Sequence, residues 1–247
     1  MLKLKVIACD VLKREISYLG SLSRCYVDVS YLPQGLHEKP DELRSRLAEE
    51  IQNANKGFPY NHFGMTPSYD YVLLIYGLCD NSIAGLKSGD IPLVVPRAHD
   101  CITLLLGSRR RYDELFHGHA GIYWYSRGWI ECSLQPGEER YTNTYKAYLE
   151  KYGEDNAEYL MEAEQGWFTS YNRAVFIDWP CLGGAAYYRS YTQKCAAYLK
   201  WDYQEETGSP GLLEKMLNGV FDEDEVLVVP EHKTIVPLYT DKIIGYE

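Results

Sequence analysis

Three cysteines and one histidine stand directly after predicted strands. Cys9 follows the run LKVIA, Cys79 follows YVLLIYGL, and His99-Asp100-Cys101 follows IPLVVPRA. In an open α/β sheet the loops beyond the carboxyl ends of the strands form the ligand crevice, so these distant side chains are expected to meet there. Thiolates and imidazoles are ligands of zinc and of iron–sulfur clusters. The pattern predicts a shared metal or thiol site at that edge of the sheet.

The identity of the metal stays open from residue types alone. The thiolates of Cys9, Cys79 and Cys101 suit an iron–sulfur cluster. A mixed set that includes His99 and leaves one position open suits catalytic zinc. The chain contains no CxxC pair that would favour one of the two.

Three neighbouring residues are candidates for catalysis at the same edge. His99 could act as a fourth ligand or as a proton carrier. Arg97 is placed to hold a small anionic substrate such as a carboxylate or a phosphate. Asp100 stands where it can cap the following helix, CITLLLGS, whose amides would face the crevice. We therefore take His99, Arg97 and Asp100 as the catalytic candidates.

The other cysteines and histidines favour structural roles. Cysteine is among the most buried residue types, and we assign four cysteines to the core: Cys25, Cys132, Cys181 and Cys195. The two imidazoles of His117-Gly118-His119 could chelate a metal, but the segment is more typical of a bent, exposed loop. In a metal-free protein the strand-end cysteines would likewise be core or redox-sensing thiols.

Runs rich in Val, Ile and Tyr alternate with helical patterns along the chain, which is typical of βαβ units. Residues 70–78 are apolar almost throughout, as in a strand buried on both faces of a parallel sheet. Leu43, Leu47 and Ile51 recur at helical spacing and predict the buried face of a helix. We therefore predict an α/β fold with a mainly parallel, Rossmann-like sheet flanked by helices. Its strands are expected at 2–9, 24–32, 70–78, 91–96, 172–178, 200–204 and 225–230.

The pattern changes between residues 108 and 170. Residues 109–136 are crowded with aromatic side chains, and 139–165 are acidic and rich in tyrosine. The run Tyr123-Trp124-Tyr125 could wall a flat ligand, but aromatic residues in such numbers more often pack a subdomain. We predict a single α/β domain over 1–247 with an aromatic, partly helical insertion or cap at 108–170. Arg109-Arg110-Arg111 are expected at a helix end, where cations complement the helix dipole.

Composition and charge exclude several classes of function. The formal net charge of −10 disfavours nucleic acid as a partner. The apolar runs are shorter than the roughly 20 residues of a transmembrane helix, and the charged N-terminus is unlike a signal peptide. The seven cysteines lack the regular framework of a disulfide-rich secreted domain. We expect a cytoplasmic protein that binds neither nucleic acid nor membrane and keeps its cysteines as thiols or ligands.

Several segments resemble the uncharacterised family known as domain of unknown function 1638. They are ACDVLKRE, YGLCDNSIAGL, PRAHDCITLLLGSRRRY and, more weakly, WDYQEETGSPGLLEKMLNGVFDEDEVLVVP. Cys9, Cys79 and the triplet His99-Asp100-Cys101 stand as in that family's pattern. Members occur in anaerobic bacteria and archaea, often encoded near corrinoid-dependent methyltransferases and their corrinoid proteins. The resemblance implies a setting in corrinoid-linked methyl or one-carbon metabolism.

Residues and resemblance together leave two functions open. In the first, a zinc or iron–sulfur site serves methyl transfer, or electron transfer to a corrinoid, and the chain is a methyltransferase or a corrinoid-linked redox accessory enzyme. In the second, a metal-free accessory protein binds a small anion and docks a corrinoid protein through its acidic, aromatic insertion. The sequence does not decide whether the chain is itself an enzyme.

Overall fold

The computed structural model describes residues 1–57, 68–78, 81–118 and 121–247. The chain divides into two compact units, Met1–Tyr112 with Ser209–Glu247, and Asp113–Gly208. The strands are β1 (Lys3–Cys9), β2 (Tyr26–Leu32), β3 (Tyr71–Ile75), β4 (Leu93–Pro96), β5 (Ile122–Tyr125), β6 (Arg173–Asp178), β7 (Asp202–Thr207), β8 (Val226–Val229), β9 (Ile235–Pro237) and β10 (Ile244–Tyr246). The helices are α1 (Lys13–Leu22), α2 (Pro40–Asn55), α3 (Cys101–Leu106), α4 (Arg109–Gly118), α5 (Arg127–Cys132), α6 (Glu138–Tyr152), α7 (Glu154–Gln165), α8 (Ala186–Leu199) and α9 (Gly211–Leu217). Among the described helices, none combines the length and the apolar character needed to cross a membrane.

The first unit is built on a five-stranded sheet in the order β2-β1-β3-β4-β8. The first four strands are parallel, and β8 pairs antiparallel with β4 at the edge. A small second sheet pairs β9 with β10. β1, β3 and β4 are buried along nearly their whole length, as expected for the uninterrupted apolar runs of central parallel strands. The predicted α/β fold with a mainly parallel sheet flanked by helices is confirmed.

Helix α2 packs its predicted apolar face into the core of the first unit. Leu43, Leu47 and Ile51 are all buried. They belong to the same hydrophobic cluster as Leu74 of β3 and Val95 of β4. Each such side chain contributes about 1.5–3 kcal/mol when it is fully buried. This packing joins α2 to β3 and β4 in one hydrophobic core.

The second unit contains its own parallel sheet in the order β5-β6-β7. The strands predicted at 172–178 and 200–204 form here as β6 and β7, so their predicted place in the sheet of β1 is wrong. Local sequence favours a strand, but burial and cross-strand packing select its partner. Residues 108–170, predicted as an insertion, fall mostly in this unit, which continues to Gly208. The single domain over 1–247 stays a prediction.

Aromatic side chains pack the second unit. The ring of Tyr123 has its centroid within 6.1 Å of four other rings: Tyr125, Trp167, Tyr171 and Trp201. Tyr125 of β5 and Phe176 of β6 share a core cluster with Tyr188 of α8. The aromatic run around Tyr123 therefore serves the packing of this unit, as the sequence favoured.

Candidate functional site

Three parallel strands bring predicted site residues to one edge of the first unit's sheet. β1 ends at Cys9, β3 at Ile75 and β4 at Pro96. The register aligns Ala8 with Ile75, so β1 and β3 reach this edge at the same level. β4 runs parallel beside β3. The chain therefore leaves all three strands at the carboxyl edge, where α/β sheets bind their ligands.

The loops that follow β3 and β4 touch through their backbones. The N–H of Leu78 donates to the carbonyl of Ala98 at 2.9 Å. Gly77 is so close to the second loop that a Cβ at its position would lie 2.5 Å from the backbone nitrogen of Asp100. Cys79 follows Leu78 in the sequence and lies outside the described residues. The segment that leads into Cys79 is therefore packed against the loop after β4.

Asp100 caps α3, as predicted. Its Oδ1 accepts hydrogen bonds from the N–H groups of Ile102 at 3.0 Å and Thr103 at 3.2 Å, and the hydroxyl of Tyr112 donates to Oδ2 at 3.1 Å. Burial raises the pKa of Asp100, and these three hydrogen bonds act against that rise. Oδ1 thus fixes the start of α3, where Cys101 stands, and Oδ2 connects it to Tyr112 of α4. A catalytic role for Asp100 stays a prediction.

The thiol and imidazole candidates at this edge are only partly buried. Cys9 is half-buried, and its Sγ lies 3.9 Å from Oδ1 of Asp10. Cys101 is also half-buried, and His99 is exposed. Within the described ranges, no three His, Cys, Asp or Glu side chains are grouped closely enough to hold a metal ion. Cys9, His99 and Cys101 are therefore not grouped as ligands by themselves. Cys79 falls outside the described ranges, and the full ligand set stays a prediction.

Arg97 leaves the end of β4 toward the backbone of the C-terminal segment. Its Nε donates to the carbonyl of Glu223 at 2.9 Å, and its Nη1 donates to the carbonyls of Lys242 at 2.7 Å and Ile244 at 2.6 Å. The residue is only 7% exposed. Burial and, after it, the charge of Arg109 lower the pKa of Arg97. Arg97 thus ties the C-terminal segment to β4, and it also lines a cavity of about 350 Å³.

The three arginines Arg109-Arg110-Arg111 begin a helix, whereas the sequence placed them at a helix end with a favourable dipole. α3 ends at Leu106, and Gly107 caps it with φ at 82°. A Cβ on Gly107 would lie 2.6 Å from the Cβ of Ser209. Ser108 then accepts a hydrogen bond from the N–H of Arg111 at 3.2 Å as α4 starts. The helix end predicted before the arginines is confirmed as the end of α3, but the expected dipole benefit is wrong, because Arg109 starts a new helix.

Sequence reasoning missed a buried charge cluster in the second unit. Asp178, the last residue of β6, accepts hydrogen bonds from Nη2 of Arg127 and from Nη2 of Arg189, both at 2.7 Å. Arg189 also pairs with Glu205 at 2.8 Å. Arg127 is 2% exposed. The only signal in the sequence was a carboxylate at the end of an apolar strand, because both arginines come from other elements.

The remaining cysteines and histidines have mixed outcomes. Cys195 is buried and confirms its predicted core position. Cys25 and Cys132 are half-buried, and Cys181 is exposed, so its core assignment is wrong. Cys181 lies in the short turn Pro180–Leu182 after β6, and none of the residues of that turn is buried. The backbone of His117 and Gly118 belongs to the last turn of α4, so the loop predicted at 117–119 is wrong for these two residues. His119 lies outside the described residues.

Comparison with known proteins yields one family match. A family model described as "Protein of unknown function (DUF1638)" matches residues 31–217, which is more than half of the chain. The matched range contains Cys79 and the triplet His99-Asp100-Cys101, and it begins after Cys9. No curated protein and no solved structure matches the chain.

Proposed function

We propose, since the chain belongs to the DUF1638 family of proteins of unknown function, that it is a metal-binding protein with a thiolate site at the carboxyl edge of its larger sheet. The ligands in this proposal are Cys9, Cys79 and Cys101, with His99 as the fourth. The observation that carries it is the backbone contact between the loops after β3 and β4. We further propose that this sheet is Rossmann-like, with its ligand crevice at the same edge.

The donor chemistry of these residues fits a soft metal. Thiolates and imidazole bind zinc in four-coordinate sites, and thiolates hold iron–sulfur clusters. The half-burial of Cys9 and Cys101 suits a site that is shielded and still reached from solvent. Zinc bound by thiolates would supply a Lewis acid that activates a thiol acceptor. The setting in corrinoid-linked methyl or one-carbon metabolism, by methyl transfer or by electron transfer from a cluster, rests on the family resemblance.

Two residues of the loop after β4 would support such a site. Asp100 is a positioning residue, since its hydrogen bonds to Ile102 and Thr103 fix the first turn of α3 and with it Cys101. His99 is exposed beside it, and an imidazole there can complete the ligand set or carry a proton between the site and solvent.

The test is the metal content of the full chain, purified without oxygen, measured by elemental analysis and absorption spectroscopy. The test variant is Cys9→Ser/Cys101→Ser, which removes two proposed ligands. The matched control is Cys25→Ser, because Cys25 is equally half-buried but precedes β2 at the amino edge of the same sheet.

We expect stoichiometric zinc or iron in the wild type and in the control, and loss of that metal from the double variant. Iron with absorption in the visible range would identify a cluster, and colourless zinc-loaded protein would favour methyl-transfer chemistry. Equal metal in all three proteins would contradict the proposal. So would a folded wild type without metal after reconstitution with zinc or with iron and sulfide.

A further inference from the structure

The cavity beside Arg97 in the first unit is lined mainly by charged side chains. Its polar lining consists of Arg97, Ser108, Arg109, Arg110, Asp224 and Glu225. Its volume of about 350 Å³ is enough for a small polar ligand. Cysteine and histidine are absent from this lining, so the cavity is separate from the thiolate ligands proposed above.

Arg97 brings a buried positive charge to the cavity without a neutralising partner. Its residue is 7% exposed, and its Nε and Nη1 groups are held by three backbone carbonyls. Carbonyl oxygens fix the orientation of the guanidinium, but they leave its charge in place. Among the described residues, Nη2 of Arg97 makes no hydrogen bond, and no carboxylate lies within ion-pair distance of the side chain. A buried cation in that state is stabilised by an anion.

The start of α4 adds positive charge to the same cavity. Arg109 and Arg110 occupy the first turn of the helix, which contains no acidic residue. Cations at the N-terminal end of a helix are destabilised by about 0.3–1 kcal/mol each. Arg109 is also near enough to Arg97 to lower its pKa. Two arginines at the N-terminal end of a helix therefore do not stabilise the fold. Residues that break a local rule of stability in this way are found mainly at functional sites.

The carboxylates in the lining offset only part of this charge. Glu225 is paired with Lys215 at 2.7 Å, so its charge is already balanced. Asp224 lies in the lining with the guanidinium groups of Arg97 and Arg109. One carboxylate cannot balance these two cations, so the lining keeps an excess of positive charge. A phosphoryl group carries about −1.5 to −2 at neutral pH, and its oxygens match the paired N–H groups of arginine.

We propose that this cavity binds a phosphoryl group, supplied either by inorganic phosphate or by a phosphate monoester. The guanidinium groups of Arg97 and Arg109 grip its oxygens, and the first turn of α4 faces its charge. The site goes beyond the proposed metal-binding function and does not depend on it.

The test is isothermal titration calorimetry of the full chain with inorganic phosphate, at low ionic strength. The test variant is Arg109→Gln. Arg109 donates one hydrogen bond to the carbonyl of Asp241, whereas Arg97 is held by three backbone carbonyls, so replacing Arg109 disturbs the fold less. The matched control is Arg111→Gln, which removes the same charge from the same helical turn but does not line the cavity. Circular dichroism checks that both variants are folded.

We expect one saturable phosphate site in the wild type, binding at least about tenfold weaker in R109Q, and binding within about twofold of the wild type in R111Q. The C9S/C101S variant should bind phosphate like the wild type, since no cysteine lines the cavity. Titration with glycerol 3-phosphate distinguishes the two sources of the phosphoryl group. Tighter binding of this ester would identify a phosphate monoester as the ligand. Tighter binding of inorganic phosphate would identify the free ion.

Three results would overturn the proposal. The first is a folded wild type that shows no saturable binding of either probe. The second is an equal loss in R109Q and R111Q, which would indicate an unspecific electrostatic effect. The third is binding of succinate as tight as that of phosphate, since a phosphoryl site should prefer the tetrahedral dianion.

Discussion

Replacing Gly77 by alanine should separate the two loops on which the proposed site depends. The new Cβ would lie 2.5 Å from the nitrogen of Asp100, 2.6 Å from its Cα and 2.7 Å from the carbonyl carbon of His99. All three are backbone atoms, so no side-chain rotation can relieve the overlap. Carbon atoms in good contact lie about 3.5–4.0 Å apart, so the loops must move by about 1 Å.

The expected change in the free energy of unfolding combines two destabilising contributions and one stabilising contribution. Overpacking of this kind costs about 1–3 kcal/mol. The displaced Leu78 N–H to Ala98 carbonyl bond accounts for about 1 kcal/mol more. The smaller entropy of the unfolded chain returns about 0.4–1 kcal/mol. We expect Gly77→Ala to lower the free energy of unfolding by about 1–3.5 kcal/mol.

The assay is urea denaturation followed by circular dichroism, with hydrogen exchange of β1 and β3 peptides to localise the effect to the first unit. The control is Gly20→Ala in α1, where the added Cβ would meet only Cγ1 of Val27 at 3.8 Å. Alanine at that helical position should stabilise the protein by about 0.5–1 kcal/mol. A G77A protein as stable as the wild type would refute the packing argument.

Four further experiments test other parts of the structure. Asp100→Ala removes the cap of α3 and should cost about 1–2 kcal/mol in urea denaturation. Burial raises the pKa of Asp100 in the folded protein above its value in the unfolded chain. The free energy of unfolding of the wild type should therefore fall as the pH rises from the unfolded pKa to the folded pKa, and Asp100→Asn should remove this part of the pH dependence. Iodoacetamide at pH 8 should alkylate exposed Cys181 at least about tenfold faster than Cys195, whose pKa burial raises to about 11. Asp178→Ala leaves Arg127 buried without this carboxylate and should cost about 3–5 kcal/mol, read by tryptophan fluorescence.

Each of these predictions has an outcome that contradicts it. Equal stability of the alanine variant at position 100 would show that the cap contributes nothing. Equal alkylation rates of the two cysteines, measured by peptide mass spectrometry, would contradict the burial of Cys195. For Asp178, Asp202→Ala is a control on the exposed start of β7, and a similar loss in both variants would contradict a special role for the buried pair.

Local sequence predicted the elements whose environment is uniform. The central strands β1, β3 and β4 are buried on both faces, so their runs of apolar residues carry a clear signal. The buried face of α2 was equally readable from its helical spacing. The partner of β6 was not, because a strand sequence records burial and not the identity of its neighbour.

In the predicted site, too, contacts between residues close in the sequence could be predicted and contacts between distant residues could not. The cap at Asp100 is a contact between residues two and three positions apart, and the sequence contained it. The carbonyl partners of Arg97 come from residues more than 120 positions away, so only the folded chain reveals them. The close approach of Gly77 to the loop after β4 belongs to this second class.

We propose that cysteine thiolates from separate strand ends share one metal. X-ray absorption at the zinc or iron edge of anaerobically purified protein detects such a shared site. We expect sulfur scatterers at about 2.3 Å from the metal, in a number that falls in the C9S/C101S variant. A metal surrounded only by nitrogen and oxygen, or a sulfur shell unchanged in that variant, would contradict it.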